Sequence, residues 1–285
     1  MLFLPNTYIL AHTPVEKPDL SIPTQIAPAY FGPNAFPVPD MLDGTTSARW
    51  SIELYSDHYI GVIPQLQTEY TTDIFFRLRM PLFTHRANLV VFGNIFEYFN
   101  TPQSVNAYRR VSYNRNTTGT LTGDFYVSTD FMIFTQEKNH INLTIRAALK
   151  SASGGMYEYA RYYDNAGYYF DATLGRAFYR PQSTIIKVAL STGFLCWQTD
   201  NGRQNDAVMY GVKTILDIKK FSFSAEYGGY VGWEKDGDAP MTLKLDVAYR
   251  IKDFSINAGY QAGLMDYPFH RARIGATYYF DIKTK

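Results

Sequence analysis

The stretch MTLKLDVAYRIKDFSINAGY, Met241 to Tyr260, alternates almost without interruption. Met241, Leu243, Leu245, Val247 and Tyr249 share one parity; Thr242, Lys244, Asp246, Ala248 and Arg250 share the other. After Ile251-Lys252-Asp253 the alternation restarts, with Phe254, Ile256, Ala258 and Tyr260 against Ser255, Asn257 and Gly259. Successive strand side chains point to opposite faces, so each run is a strand with one apolar and one polar face. Two such strands joined by a tight turn leave few folds open. The apolar face must meet either a second sheet or lipid.

The pattern runs from about Thr46 to the end of the chain. Strand one is predicted over 47–58, with Ala48, Trp50, Ile52 and Leu54 opposite Arg49, Ser51, Glu53 and Tyr55. Strand two, 69–80, sets Tyr70, Ile74, Phe76, Leu78 and Met80 against Asp73, Arg77 and Arg79. Strand three, ANLVVFGNIFEYF, is apolar on both parities, so its facing stays open. Strand four, 123–136, alternates Phe125, Val127, Phe131 and Ile133 with Asp124, Ser128 and Asp130. Strand five, 140–151, opposes Ile141, Leu143, Ile145, Ala147 and Leu149 to Asn142, Thr144, Arg146 and Lys150. Strands six to nine follow near 167–180, 183–198, 206–219 and 220–234. The opening hairpin supplies ten and eleven, and FHRARIGATYYFDI is twelve. No helical period of comparable length competes.

The connections are unequal. QEKNH, YRPQS, DIKKF and RIKDF are tight turns, whereas 100–122, 152–166 and 199–206 are longer. Short turns at one end and longer loops at the other are what an up-and-down membrane barrel shows. With an even strand count, both ends of the barrel fall on the short-turn side, which would be periplasmic.

The rival is a soluble sandwich or barrel whose apolar parity forms the core. Strands of about 12 residues exceed the ~5–6 usual in globular sheets and suit a tilted crossing of hydrocarbon. Outward apolar residues become aromatic near strand ends, as at Tyr70, Tyr168, Phe178, Phe221, Trp233, Tyr249, Phe254, Tyr278 and Phe280. Rings at both membrane interfaces produce that distribution. The chain carries 24 Tyr and 20 Phe. Its mean hydropathy is −0.22, and no run of ~18 apolar residues exists, which excludes a helical membrane protein but not a barrel. The polar parity carries mid-strand charges of both signs, a weaker argument, since a wetted sheet does the same.

Residues 1–45 differ from the rest. They hold more than half of the 14 prolines and no periodic pattern. Proline removes a ladder donor, so this segment is extended or looped rather than a central strand. Tyr30, Phe31 and Phe36 give it something to bury, so a plug or periplasmic arm packing against or entering the barrel is expected, with a disordered leader as the alternative. MLFLPNTYILAHT has a short apolar stretch with Ile9 and Ala11 at cleavage-compatible positions, but it lacks a basic start and carries Pro5. It reads as a possible signal remnant or a truncated start.

The chain thus divides into an N-terminal extended segment, 1–45, and a transmembrane β-barrel, 46–285. Over 46–285 it resembles the bacterial outer-membrane β-barrel class, all-β and 12-stranded, antiparallel and up-and-down. The aromatic, Asn-rich loops and YFGPNAFPVP are similar to those of outer-membrane proteins of Bacteroidota. The resemblance implies the outer membrane of a Gram-negative bacterium, with lipid and lipopolysaccharide as surroundings. DIKTK after Phe280 departs from the terminal aromatic of many such barrels.

If the apolar parity faces lipid, the other lines the lumen. Its basic members are Arg49, Arg77, Arg79, Arg146, Lys150, Lys187, Lys213, Lys244, Arg250, Arg271 and Arg273. Its acidic members are Glu53, Asp73, Asp130, Asp171, Asp217, Glu226 and Asp246. Cross-strand pairing would brace a filled interior; an unpaired excess would leave a cationic track along a water-filled pore. The excess of basic residues resembles that of narrow 12-stranded channels that pass acidic oligosaccharides along arginine tracks. Porin-like passage of small polar or anionic solutes is therefore expected, with a filled structural or adhesion barrel as the second reading.

A rim lipid hydrolase is the third, since outer-membrane phospholipases and lipid A deacylases use Ser and His on the lipid-facing rim. Ser56, His58 and His270 share the apolar parity near the loop end. The Ser-x-His order is reversed and Asp57 points inward, so no enzyme is expected. Histidines lack ligand-like spacing, Cys196 stands alone on the lipid parity, and no cofactor or metal is expected. A net charge of +1 without a basic cluster gives no nucleic-acid signal. SASGGMYEYARYYDNAGYY, Ser151 to Tyr169, reads as either a recognition loop or a loop folded over the barrel mouth.

Overall fold

A computed structural model describes residues 32–82, 86–109, 118–155, 161–162, 166–181, 183–198, 204–233, 237–266 and 268–282. The readings made on residues 1–31 lie outside the described residues. The strands are β1 (Trp50–Gly61), β2 (Glu69–Pro81), β3 (Ala87–Asn100), β4 (Thr118–Leu121), β5 (Phe125–Phe134) and β6 (Asn142–Lys150). They continue as β7 (Gly167–Arg180), β8 (Thr184–Gln198), β9 (Gln204–Ile218) and β10 (Phe221–Gly232). The last three are β11 (Met241–Ile251), β12 (Phe254–Met265) and β13 (Phe269–Phe280). Two short helices, α1 (Gln103–Tyr108) and α2 (Gln136–Asn139), interrupt them.

Twelve strands make one closed antiparallel ring, all except β4. β1 pairs with β13 from Trp50–Phe280 to Gly61–Phe269, and that seam leaves the wall without a free edge. β4 pairs only with Glu97–Asn100 of β3, beyond the stretch that pairs with β5. The connection expected as one long loop over 100–122 therefore contains α1 and β4. QEKNH is a one-turn helix ending on His140 in the left-handed region.

The apolar parity faces outward. Leu54, Leu149, Leu190 and Ile274 expose 49%, 63%, 59% and 61% of their surface. Ser51, Asp57, Thr144 and Asp171 on the opposite parity are buried. A water-soluble sandwich would show the reverse. At the turn end, Trp50 meets Phe280, Phe221 meets Tyr249, and Phe254 meets Tyr278. At the loop end Tyr70, Tyr98 and Trp233 are exposed on the outside. These are the two aromatic belts.

Strand three's ambiguity has a cause. Ile74 pairs with Phe96 and Phe75 with Asn94, so Ile95 is an extra residue on β3. The bulge shifts the alternation by one. Asn88, Val90 and Phe92 point inward below it, and Glu97 and Phe99 are buried above it. Both parities must carry apolar residues because each faces lipid for half the strand.

Residues 32–49, here called the strap, run inside the ring. Asn34 touches β2, β3 and β13 near the loop end. Asp40 reaches β2 and β11 in mid-bore, and Asp43 reaches β8 further down. Ser47 is clamped by Asn88 at the turn end, its N–H and carbonyl held at 2.7 and 2.8 Å. The chain then enters the wall at Trp50. Glycines on the wall make room for this thread: a Cβ on Gly175 would run into the Asp43 carbonyl, and one on Gly211 into Met41.

Candidate functional site

The bore has an apolar side and a charged side. On the apolar side Phe36 of the strap packs among Tyr126, Tyr169, Leu195, Trp197, Met209 and Tyr230. Phe36 and Trp197 ring centroids are 6.0 Å apart, and the Tyr230 hydroxyl donates to the Phe36 carbonyl at 3.2 Å. These residues come from inward positions of β5, β7, β8, β9 and β10. Burial of this many rings fixes the strap's height in the bore.

On the charged side the strap supplies carboxylates. Asp40 accepts from Arg77 at 2.7 Å and from Lys244 at 2.9 Å. Asp43 meets Lys187 at 3.1 Å. Glu226 bonds Lys213 at 2.9 Å and accepts the Met41 N–H at 3.0 Å. Several guanidinium groups lie on aromatic faces: Arg77 on Phe75 and Phe92, Arg146 on Tyr169, and Arg273 on Tyr55. Such stacking holds a cation in place independently of its acid partner.

Beside the strap lies a chamber of about 320 Å³. Seven basic side chains line it (Arg77, Arg79, Arg146, Lys213, Lys244, Arg271, Arg273) and four acidic ones (Asp40, Asp124, Asp130, Asp246). Arg79 makes no ion pair or hydrogen bond among the described residues, and its Nε is buried without a partner. The Tyr126 hydroxyl on the same chamber is likewise unpartnered.

A separate network lies at the loop end. Arg161 donates to Glu97 at 2.6 and 2.8 Å, to Glu69 at 2.7 Å and to Thr71 at 2.9 Å. Arg109, at the end of α1, also binds Glu69. Burial alone would loosen the proton on Arg161, but the carboxylates of Glu97 and Glu69 outweigh it and hold the guanidinium charged. Tyr162 donates to Glu97 at 3.0 Å and packs over Gly123 and Gly154. Arg161 and Tyr162 belong to Ser151–Tyr169, so this part of that loop folds into the mouth.

The remaining inward residues are distributed as follows. Arg146 pairs with Asp171 at 2.7 Å, and Asp130 lies on the neighbouring strand opposite Arg146. Lys150 is buried against Asp124 at 2.6 Å, and Arg77 also contacts Glu53 at 3.2 Å. Arg273 binds Asp57 through two bonds. Arg271 binds Asn34 and lies near Gln261, and Asp73 accepts from Asn34. Asp246 is 3.8 Å from Lys244, and Asp217 accepts from Ser222. Arg250 stacks on Tyr279 near the turn end. Arg49 sits at the turn-end rim on Asp253 and Asp281, outside the bore.

Sequence reasoning missed Asn34, Asp40, Asp43, Glu69, Glu97, Arg109 and Arg161. Asp40 and Asp43 stand in VPDMLDG, where no period assigns a face, and Glu97 lies beyond the bulge. On the lipid face, Ser56 Oγ is 3.5 Å from His58 Nε2, and His58 Nδ1 is 3.2 Å from Thr72 Oγ1. No carboxylate orients this imidazole, because Asp57 points into the bore, and His270 bonds Tyr260 instead. Cys196 keeps the outward parity of β8 but is fully buried.

No protein-family model matches the chain, and no characterised protein matches it by sequence. Among solved structures, an outer membrane channel from Pseudomonas putida F1 matches 85% of this chain and 100% of its own length. Its TM-score is 0.61 at 10% identity. The KdgM porin in complex with disordered oligogalacturonate covers 81% of this chain and 99% of its own, with a TM-score of 0.49 at 11% identity. The transport unit of the autotransporter AIDA-I from Escherichia coli covers 87% and 95%, with a TM-score of 0.47 at 12% identity. The first likeness shows that the closed antiparallel 12-strand barrel described above is similar in fold to an outer membrane channel.

Proposed function

We propose that this chain is an outer-membrane channel of a Gram-negative cell through which small polar solutes pass, anions in preference to cations. The observation that carries the reading is the chamber beside the strap, with seven basic side chains against four acidic ones. A narrow bore with low-dielectric walls concentrates ions opposite in sign to the groups that face it; bases outnumber acids on this chamber's lining, although Arg146, Lys213 and Arg273 are paired with Asp171, Glu226 and Asp57, which do not line it. The outer-membrane channel that shares the fold supports the same reading, as does the outward apolar face, which would sit in lipid and lipopolysaccharide. A source among the Bacteroidota is part of this proposal, supported by the resemblance of YFGPNAFPVP to their outer-membrane proteins.

The strap favours a second reading, a barrel whose filled lumen serves structure or adhesion. Phe36, Met41 and the ion pairs at Asp40 and Asp43 occupy a large part of the bore. Planar-bilayer recording separates the two. A channel gives discrete conductance steps and a reversal potential displaced toward anions in a KCl gradient, and Arg77→Ala plus Arg79→Ala reduces that displacement. A full-length protein that inserts and carries no current leaves the filled barrel.

A further inference from the structure

The carboxylates in the bore run from fully enclosed to partly open, with Asp43 at 21% and Asp246 at 31% exposure between the extremes. Glu69, Glu97, Asp124 and Asp171 have side chains no more than 1% exposed, and the cations that hold them are 1–7% exposed. Such pairs are permanent, because separating them leaves a charge buried without a partner. Asp40 is different. Its side chain keeps 34% of its surface open and lines the chamber, while its partners Arg77 and Lys244 are 17% and 11% exposed and line the chamber too. A dissolved anion in the chamber can therefore reach the atoms that Asp40 touches.

The cations are built to survive that exchange. Arg77 lies between Phe75 at 5.1 Å and Phe92 at 5.4 Å, and keeps Glu53 at 3.2 Å, so it retains its position without Asp40. Arg79, two residues along the same inward face, makes no ion pair among the described residues and has Asp130 as its nearby acid. The strap is meanwhile anchored on either side of Asp40, by Phe36 in the aromatic cluster and by Met41 on Lys213 and Glu226. Asp40 can leave its partners by a side-chain rotation while the thread stays in place.

We propose that Arg77 and Lys244, with Arg79 next to them, form a binding site for the carboxylate of a small organic acid, and that Asp40 occupies this site as an internal competitor. The inference rests on the channel reading for its role, but its test is a binding measurement. A site that an internal group fills for most of the time binds external ligand more weakly, by the fraction of time it is vacant. If Asp40 is bound about nine-tenths of the time, its removal tightens apparent affinity about tenfold.

The experiment titrates glutarate into the full-length detergent-solubilised barrel by calorimetry, with the neutral diamide of glutarate as control. Asp40→Asn tightens glutarate binding about tenfold and leaves diamide binding unchanged, whereas Arg77→Gln in the Asp40→Asn background removes it. Asp43→Asn, which frees only Lys187, stays within twofold of the wild type. Glutarate affinity equal in wild type and Asp40→Asn, with both proteins showing folded-barrel migration on unheated gels, overturns the proposal. Bilayer recordings of the same preparations judge the channel reading separately: current without competition by Asp40 ends this inference alone, and competition without current ends the channel alone.

Discussion

Arg161→Met removes the cation shared by Glu97 and Glu69 at the loop mouth. Arg161 is 2% exposed, and the two carboxylates are 0% and 1% exposed, so water and salt screen little of what is lost. Glu69 keeps Arg109 and Thr101. Among the described residues, Glu97 keeps only neutral donors, Tyr162 and Asn34. Stranding a buried charge in this way costs about 3–5 kcal/mol of folding free energy. Adding Glu97→Gln removes the stranded charge, so the double variant recovers about 1–3 kcal/mol of the loss, within the range of coupling between contacting groups. Urea unfolding in lipid vesicles, followed by the migration difference between folded and heat-unfolded barrel, reads both quantities. A single-variant loss below about 1 kcal/mol, or a double variant equal to the sum of the two singles, would refute the account of these mouth residues as a buried ionic network.

Two further outcomes follow from the wall. Gly175→Val places a side chain where the Asp43 carbonyl lies, so it displaces the strap near Gly44 and breaks the Asp43–Lys187 pair. Single-channel conductance above that of the wild type is expected, and an unchanged conductance would show that the strap does not narrow the path. Leu190→Arg puts a charge on an outward position near the middle of β8, where Leu190 is 59% exposed. The expected loss is about 2–4 kcal/mol in vesicle unfolding, and a loss near zero would argue that this face does not meet hydrocarbon.

Most of the wall was legible because a strand's period is two and lipid makes one parity apolar. Leu143, Ile145 and Leu149 alternate with Asn142, Thr144, Arg146 and Lys150 in both sequence and structure. Legibility ended where the period broke. The extra residue Ile95 moves Glu97 from the parity of lipid to that of the bore, and no residue type announces such an insertion. α1 and β4 are too short to show a repeat within a polar connection. The lumen pairs were legible only as a set of inward charges. Which acid meets which base depends on register and on the strap. Arg77 reads in the sequence as one inward base, either paired across strands or left in a track, yet half of its pairing comes from Asp40, 37 residues away in a segment with no period at all. Periodicity reports faces; it says nothing of what is threaded between them.

That thread sets the order of assembly. The strap continues directly into β1, and β1 is one lip of the seam with β13. Sliding it in afterwards would mean hauling Phe36 past the Arg49 rim and the clamp at Asn88. Hoop formation and occupation of its interior must then be one event, with the sheet curling around its own leading end until the first and last strands zip. A chain that zipped too early would be a complete cylinder with its leader stranded outside, and it would lack the acids that quiet Arg77, Lys187 and Lys244.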